Sequence, residues 1–311
     1  QPSRGQPGRV DAQPQDLPDL VGECRFAAES IEEFRIGPAV SIRPDRQAQH
    51  AGAPATDLLQ RPVLWPGGCQ ERSVGARSSR IVDVGHRAVY EAICHGGYQG
   101  MTETEIGGLA AYAMRKAGSE WEWSFTGGNE IASGYRTGLA AGACTPASRR
   151  SLRAGEPLMV DIHAMFKLGL GDHSHNYLLA PATDRQRWHA GNFLEMVRRT
   201  LETYRAGVTP VGLAQEMMDF AEEGGFAEYM VPGFEHGIGM MGDEWRIGLN
   251  DGPFPYWTNP EHVYKENELI ICAMQYACPE EDVGFRYENP IVIRKDGCEE
   301  LSKYPLGIEE I

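Results

Sequence analysis

Apolar positions change their spacing several times along this chain, and each change marks a predicted element. Val84, Ala88, Ala92 and His95 recur at helical spacing before Gly96-Gly97 ends the run. A second helix is predicted after Thr102-Glu-Thr-Glu105, a capping-box signature, with Ile106, Leu109, Ala113 and Met114 as its apolar stripe and Gly118 as its stop. Trp121 to Phe125 reads as a strand. So does Leu158 to Phe166, an apolar run bounded by Gly155-Glu156-Pro157 and Gly169 and interrupted by Asp161. A Gly-rich turn suited to a hairpin follows, and Asp172 opens a second strand that carries His173 and His175. Thr183 caps a long helix predicted from Asp184 to about Arg205, Gly207-Val-Thr209 breaks it, and Pro210 opens another that closes at Gly224-Gly225. Leu269 to Met274 and Arg286 to Arg294 read as two further strands, the second with Glu288 inside it.

Helix pairs alternate here with strands linked mostly as hairpins, which predicts an α+β architecture. The hinge Gln99-Gly-Met-Thr102 resembles the hinge Gly207-Val-Thr209, so two units of helix pair plus strands form an internal pseudo-repeat. Residues 1–80 have a different texture: no Lys, no Tyr, nine of the 20 prolines and no sustained period. This stretch reads as an atypical, irregular or disordered N-terminal segment, and residues 81–311 as the main folded domain.

With 41% hydrophobic residues over 311 positions the chain can fill a large core. It has no run of eighteen apolar residues and no charged-then-apolar leader, which predicts neither a membrane span nor a secretory signal. Seven cysteines, with no CxxC pair among them, fit a reduced, cytoplasmic protein. The net charge is −15, and because residues 1–80 carry ten acidic and ten basic side chains, all of it falls on residues 81–311. That balance argues against nucleic acid or an anionic membrane as a partner.

The chemistry concentrates where acids interrupt apolar runs. Asp161 and Asp172, eleven residues apart on paired strands, can point into one space, where their charges need a proton or a cation. His236 lies in Gly233-Phe-Glu-His-Gly-Ile-Gly239, a frame that lets its ring approach other groups closely, and Glu288 interrupts the last long strand.

Asp, Asp, His and Glu in this order and spacing resemble the pita-bread metallopeptidase family, which comprises methionine aminopeptidase, aminopeptidase P, prolidase and their non-peptidase relative creatinase. The resemblance runs from about His86 to the C-terminus. It implies the pita-bread fold, a homodimer, and Asp161, Asp172, His236 and Glu288 as ligands of one or two divalent ions (Mn, Fe, Co or Zn). It further implies a metal-activated water attacking a C–N bond of a dipeptide or other small molecule, with His236 and Glu288 as catalytic residues.

The chain departs from the family in three places. A fifth ligand, a Glu on the strand before the last, is missing, and its place falls to Ala273, Met274 or Gln275. His163 or His173 are conceivable substitutes, and a metal-free site like that of creatinase is the other possibility. No His occurs between His95 and His163, where peptidases of the family carry one, and Asp243 stands where a second His is expected seven residues after His236. Asp243 is therefore a candidate base, and an alternative chemistry is a lyase or creatinase-like reaction on a small cationic substrate. A catalytically inactive binding relative is the third reading.

Overall fold

Small residues, rather than large apolar ones, bury the start of the first helix. The computed structural model describes residues 70–121, 129–140, 146–231, 234–238 and 262–311. Helix α1 spans Gln70–Glu91 and so begins eleven residues before the domain boundary expected at 81. Ser78 and Ser79 are fully buried there. The Ser78 hydroxyl donates to the Gly169 carbonyl at 2.7 Å, and a Cβ on Gly171 would lie 2.5 Å from the backbone of Ser78. Helix and strand therefore meet almost backbone to backbone, a contact that leaves no hydrophobic period to read. Farther along, Ile81, Val82 and Val89 supply ordinary core packing before a π-helical stretch, Ala92–Gly97, ends the helix.

Helix α2, Glu103–Lys116, starts on the predicted capping box: the Thr102 hydroxyl accepts from the Glu105 amide while the Glu105 carboxylate accepts from the Thr102 amide. Ile106, Ala110 and Met114 are buried, whereas Leu109, expected on the stripe, is exposed. Glu103 accepts from the Ser133 amide and hydroxyl, both at 2.8 Å, and from Arg136 at 2.7 Å. These bonds fix strand β1, Glu130–Ser133, and the short helix α3, Tyr135–Ala140, against the helix start.

Strands β2, Pro157–Phe166, and β3, Gly169–Leu178, form the predicted hairpin, but the turn is not where its glycines suggested. Lys167 and Leu168 make it, at φ of +50° and +63°, in the left-handed region that two-residue hairpin turns demand. Gly169 and Gly171 sit inside β3 and serve the close approach of α1. Leu168 is exposed, so Leu168→Gly should relieve backbone strain and stabilise the fold by about 0.5–1 kcal/mol, readable as a higher urea midpoint.

The first sheet runs β1-β2-β3-β9, where β9 is Ile308–Glu310, and packs on α1 and α2 through Ile131, Leu158, Val160 and Ile162. The second half repeats the plan. Helix α4, Asp184–Thr203, begins on a Thr183–Gln186 capping box, and α5, Pro210–Glu223, begins at Thr209 and Pro210. Beneath them lies a sheet of β4 (Met230–Val231), β6 (Leu269–Cys278), β7 (Val283–Arg294) and β8 (Gly297–Glu300), with β5 (Glu235–His236) also pairing β6. Phe193, Met196, Leu213 and Met217 cover Ile270, Cys272 and Met274. The α+β pseudo-repeat is thus present in the fold.

The two sheets meet along β3 and β7 without sharing a backbone ladder. The Asn176 side chain bridges them, donating to the Arg286 carbonyl at 2.7 Å and accepting from the Arg286 amide at 3.2 Å. Among the described residues no helix is long and apolar enough to cross a membrane. The strand expected at Trp121 to Phe125 lies, beyond Trp121, outside the described residues, as does Asp243.

Candidate metal centre

Strand alternation explains why the polar interruptions converge. Asp161 and His163 are two apart on β2 and share a face; Asp172 and Ser174 do the same on β3, and Arg286 and Glu288 on β7. Those faces turn toward one another between the sheets, and β5 brings in His236. All four predicted ligands meet there. Single atoms of Asp161, His163, Asp172 and Glu288 lie within 4.8 Å of one another. His236 Nε2 stands 3.9 Å from Asp172 Oδ2 and 3.7 Å from Glu288 Oε1. Every one of these side chains is buried, with Asp161 only 1% exposed.

Three residues that carry no predicted role complete the pocket. Ser174 donates to Asp161 Oδ1 at 3.0 Å and to Glu288 Oε2 at 3.3 Å. Glu130, directly opposite Asp161 in the β1–β2 register, is a fourth buried carboxylate. Arg286 Nη1 donates to both Glu130 Oε2 and Asp161 Oδ2 at 2.8 Å. The two-residue spacing of Arg286 and Glu288 is the sequence signal for the arginine. Nothing comparable announces Glu130, whose place follows from strand pairing alone.

Register also locates the missing fifth acid. Ala273 is the cross-strand partner of Glu288 and Gln275 that of Arg286, so of the three open positions these two share the pocket's face of the strand, Met274 lies on the other, and Ala273 is the one directly opposite Glu288. It offers only a methyl group, and with Ile271, Met165 and Ile238 it forms an apolar wall. His173, the other conceivable substitute ligand, is on the opposite face of β3. There its Nδ1 meets His86 Nε2 at 3.0 Å in a buried histidine layer under α1. Burial and neighbouring His175 hold the His173 ring down at about 3, so it stays neutral.

The electrostatics of the cluster call for a cation. Burial and the Glu288 charge push Asp161 well above the ordinary carboxylate range, and the same two effects raise Asp172 to about 6. Burial also opposes a charge on His163, yet Asp172 Oδ1 at 3.3 Å and Asp161 hold that ring well above its usual value. Glu288 runs the other way: burial disfavours its charge, but Arg286 and then His236 outweigh that and keep it low. His236 Nδ1 lies 2.9 Å from the Gly237 carbonyl, an acceptor for a proton on that nitrogen, and Nε2 is turned toward Asp172 and Glu288. Carboxylate oxygens and imidazole nitrogens gathered this closely, in a buried and net negative pocket, fit a divalent ion.

Residues 76–295 match metallopeptidase family M24. The chain belongs to this family. Over 235 residues the M24 chain is 26% identical to the Xaa-Pro dipeptidase of Pyrococcus furiosus, covering 75% of itself and 62% of that relative. The X-Pro aminopeptidase structure from Thermotoga maritima superposes with a TM-score of 0.64 at 26% identity, covering 78% of this chain and 62% of that one. The prolidase of Pyrococcus horikoshii, at 24% identity and a TM-score of 0.66, shares the fold. That fold is the pita-bread α+β arrangement that the family resemblance implied. The M24 chain spans about 62% of the length of the relatives it matches.

Proposed function

We propose that this M24 chain is a metal-dependent hydrolase that cleaves a C–N bond in a dipeptide-like substrate, as the named activity of its Xaa-Pro dipeptidase relatives suggests. The observation that carries the reading is the convergence of Asp161, Asp172 and Glu288 with His163 and His236 in one buried pocket. A divalent cation held there supplies Lewis acidity toward the scissile carbonyl and a water of lowered pKa as nucleophile. Manganese, iron, cobalt and zinc all accept this mixture of carboxylate and imidazole.

The side chains divide the remaining work. Asp161, Asp172, His236 and Glu288 would hold the ion. Glu288, bonded to Ser174 and beside His236, is the group placed to take a proton from the nucleophile and return it to the leaving amine. Arg286 fixes Asp161, so that this carboxylate presents Oδ1 while Oδ2 is engaged. The wall of Ile271, Met165, Ile238 and Ala273 excludes water on one side and suits an apolar substrate residue. Asp243 lies outside the described residues and takes no part in this account.

Metal-replete protein should hydrolyse Xaa-Pro dipeptides, and a chelator should remove that activity until metal is restored. Failure of replete protein on a panel of Xaa-Pro dipeptides, with conversion of a sulfonium or quaternary-nitrogen compound instead, would replace the hydrolase reading with the lyase or creatinase-like one.

A further inference from the structure

We infer that this centre takes a single divalent ion with His163 among its ligands, and that Arg286 supplies the second positive charge as a permanent part of the protein. The inference rests on the metal-dependent reading above and specifies its stoichiometry.

Three observations support it. First, the donors run out. Asp161 Oδ2 is committed to Arg286, which leaves Oδ1 as the one oxygen this carboxylate offers a cation. The position opposite Glu288, the natural place for another anionic donor, is Ala273. Second, the charges balance for one ion. Glu130, Asp161, Asp172 and Glu288 against one guanidinium leave three uncompensated negative charges when the imidazoles are neutral. One divalent ion offsets two of these, and a second would have to share Asp161 with a guanidinium already bonded to it. Third, His163 is built into the cluster. It shares the inward face of β2 with Asp161, is 5% exposed, and places Nε2 at 3.3 Å from Asp172 Oδ1 and 4.0 Å from Asp161 Oδ1. Its Nδ1 has no hydrogen-bond partner among the described residues, so the ring is held by packing and by what its Nε2 faces.

Arg286 is itself clamped from both sides. Glu130 and Asp161 are direct cross-strand neighbours, and one guanidinium nitrogen reaches both. Removing Glu130 would free the guanidinium to compete for Glu288 and Asp161, whereas with Glu130 present its place is fixed.

The test uses the purified full chain and Mn²⁺. After equilibrium dialysis against saturating Mn²⁺, elemental analysis should return one manganese per chain, and the electron paramagnetic resonance spectrum should be that of an isolated ion. His163→Ala should keep the metal-free melting temperature close to that of the parent while weakening Mn²⁺ binding by at least about tenfold, seen as a smaller Mn²⁺-induced rise in Tm. Two manganese per chain, or an exchange-coupled pair in the spectrum, would overturn the inference and leave the metallohydrolase reading standing. No bound manganese would overturn both. Unchanged Mn²⁺ affinity in His163→Ala would remove His163 from the ligand set.

Discussion

Asp172→Asn is expected to lower divalent-ion affinity by at least about a hundredfold and to take the proposed hydrolytic activity below detection. Asp172 sits at the centre of the cluster, with one oxygen facing His163 at 3.3 Å and the other facing His236 at 3.9 Å. Losing its charge removes a donor shared between both imidazoles, a larger effect than the roughly 10–100-fold typical of groups that only orient a ligand. A factor of one hundred corresponds to about 2.8 kcal/mol. The metal-free protein should not suffer. Its Asp172 carboxylate is held at about 6 by burial and by Glu288, so the isosteric amide removes a repulsion rather than a support. Calorimetric titration together with thermal melts checks both halves: a large loss of affinity beside an unchanged or higher metal-free Tm. A lower metal-free Tm would mean that Asp172 holds the fold together, contrary to this account.

Gly284→Ala is expected to be the most damaging conservative change outside the pocket. A Cβ there would lie 2.1 Å from the Thr137 carbonyl oxygen and 2.7 Å from the Gly138 nitrogen, where α3 rests on β7. Both obstacles are backbone, and backbone yields less readily than a side-chain tip. Overpacking typically costs about 1–3 kcal/mol, and this contact belongs at or above the top of that range. For a domain of this size about 3 kcal/mol lowers Tm by roughly 6–12 °C. Gly108→Ala gives the opposite sign. Gly108 lies within α2, is exposed, and has nothing within 4 Å of the added methyl, so helix propensity should add up to about 1 kcal/mol. Measuring both variants separates the clash from any general intolerance of added bulk.

The parts of this molecule that are legible in its sequence are those where one residue breaks a clear local rule. Asp161 and Glu288 stand out because an acid within an apolar strand needs compensation, and His236 because of its glycine-rich surroundings. Thr102 and Thr183 mark helix starts because capping is a matter of three or four consecutive residues. What stays hidden depends on pairing between distant strands. Glu130 acquires meaning only opposite Asp161, and Ala273 only opposite Glu288. The glycines after Phe166 mislead for a related reason: a glycine needed for close packing looks the same in sequence as one needed for a turn. Residues 70–80 escape notice because serine and glycine bury themselves without any hydrophobic period.

Asn176 has a further consequence as an index mark between the two halves. Strands in a continuous ladder are aligned many times over, but β3 and β7 belong to different sheets, and one carboxamide clips the backbone of Arg286. Sliding β7 by one pleat repeat would carry Glu288 about 7 Å along the strand, too far to share an ion with Asp172. Alignment of the halves to within a single residue is therefore what places a carboxylate from near the end of the chain beside one from its middle.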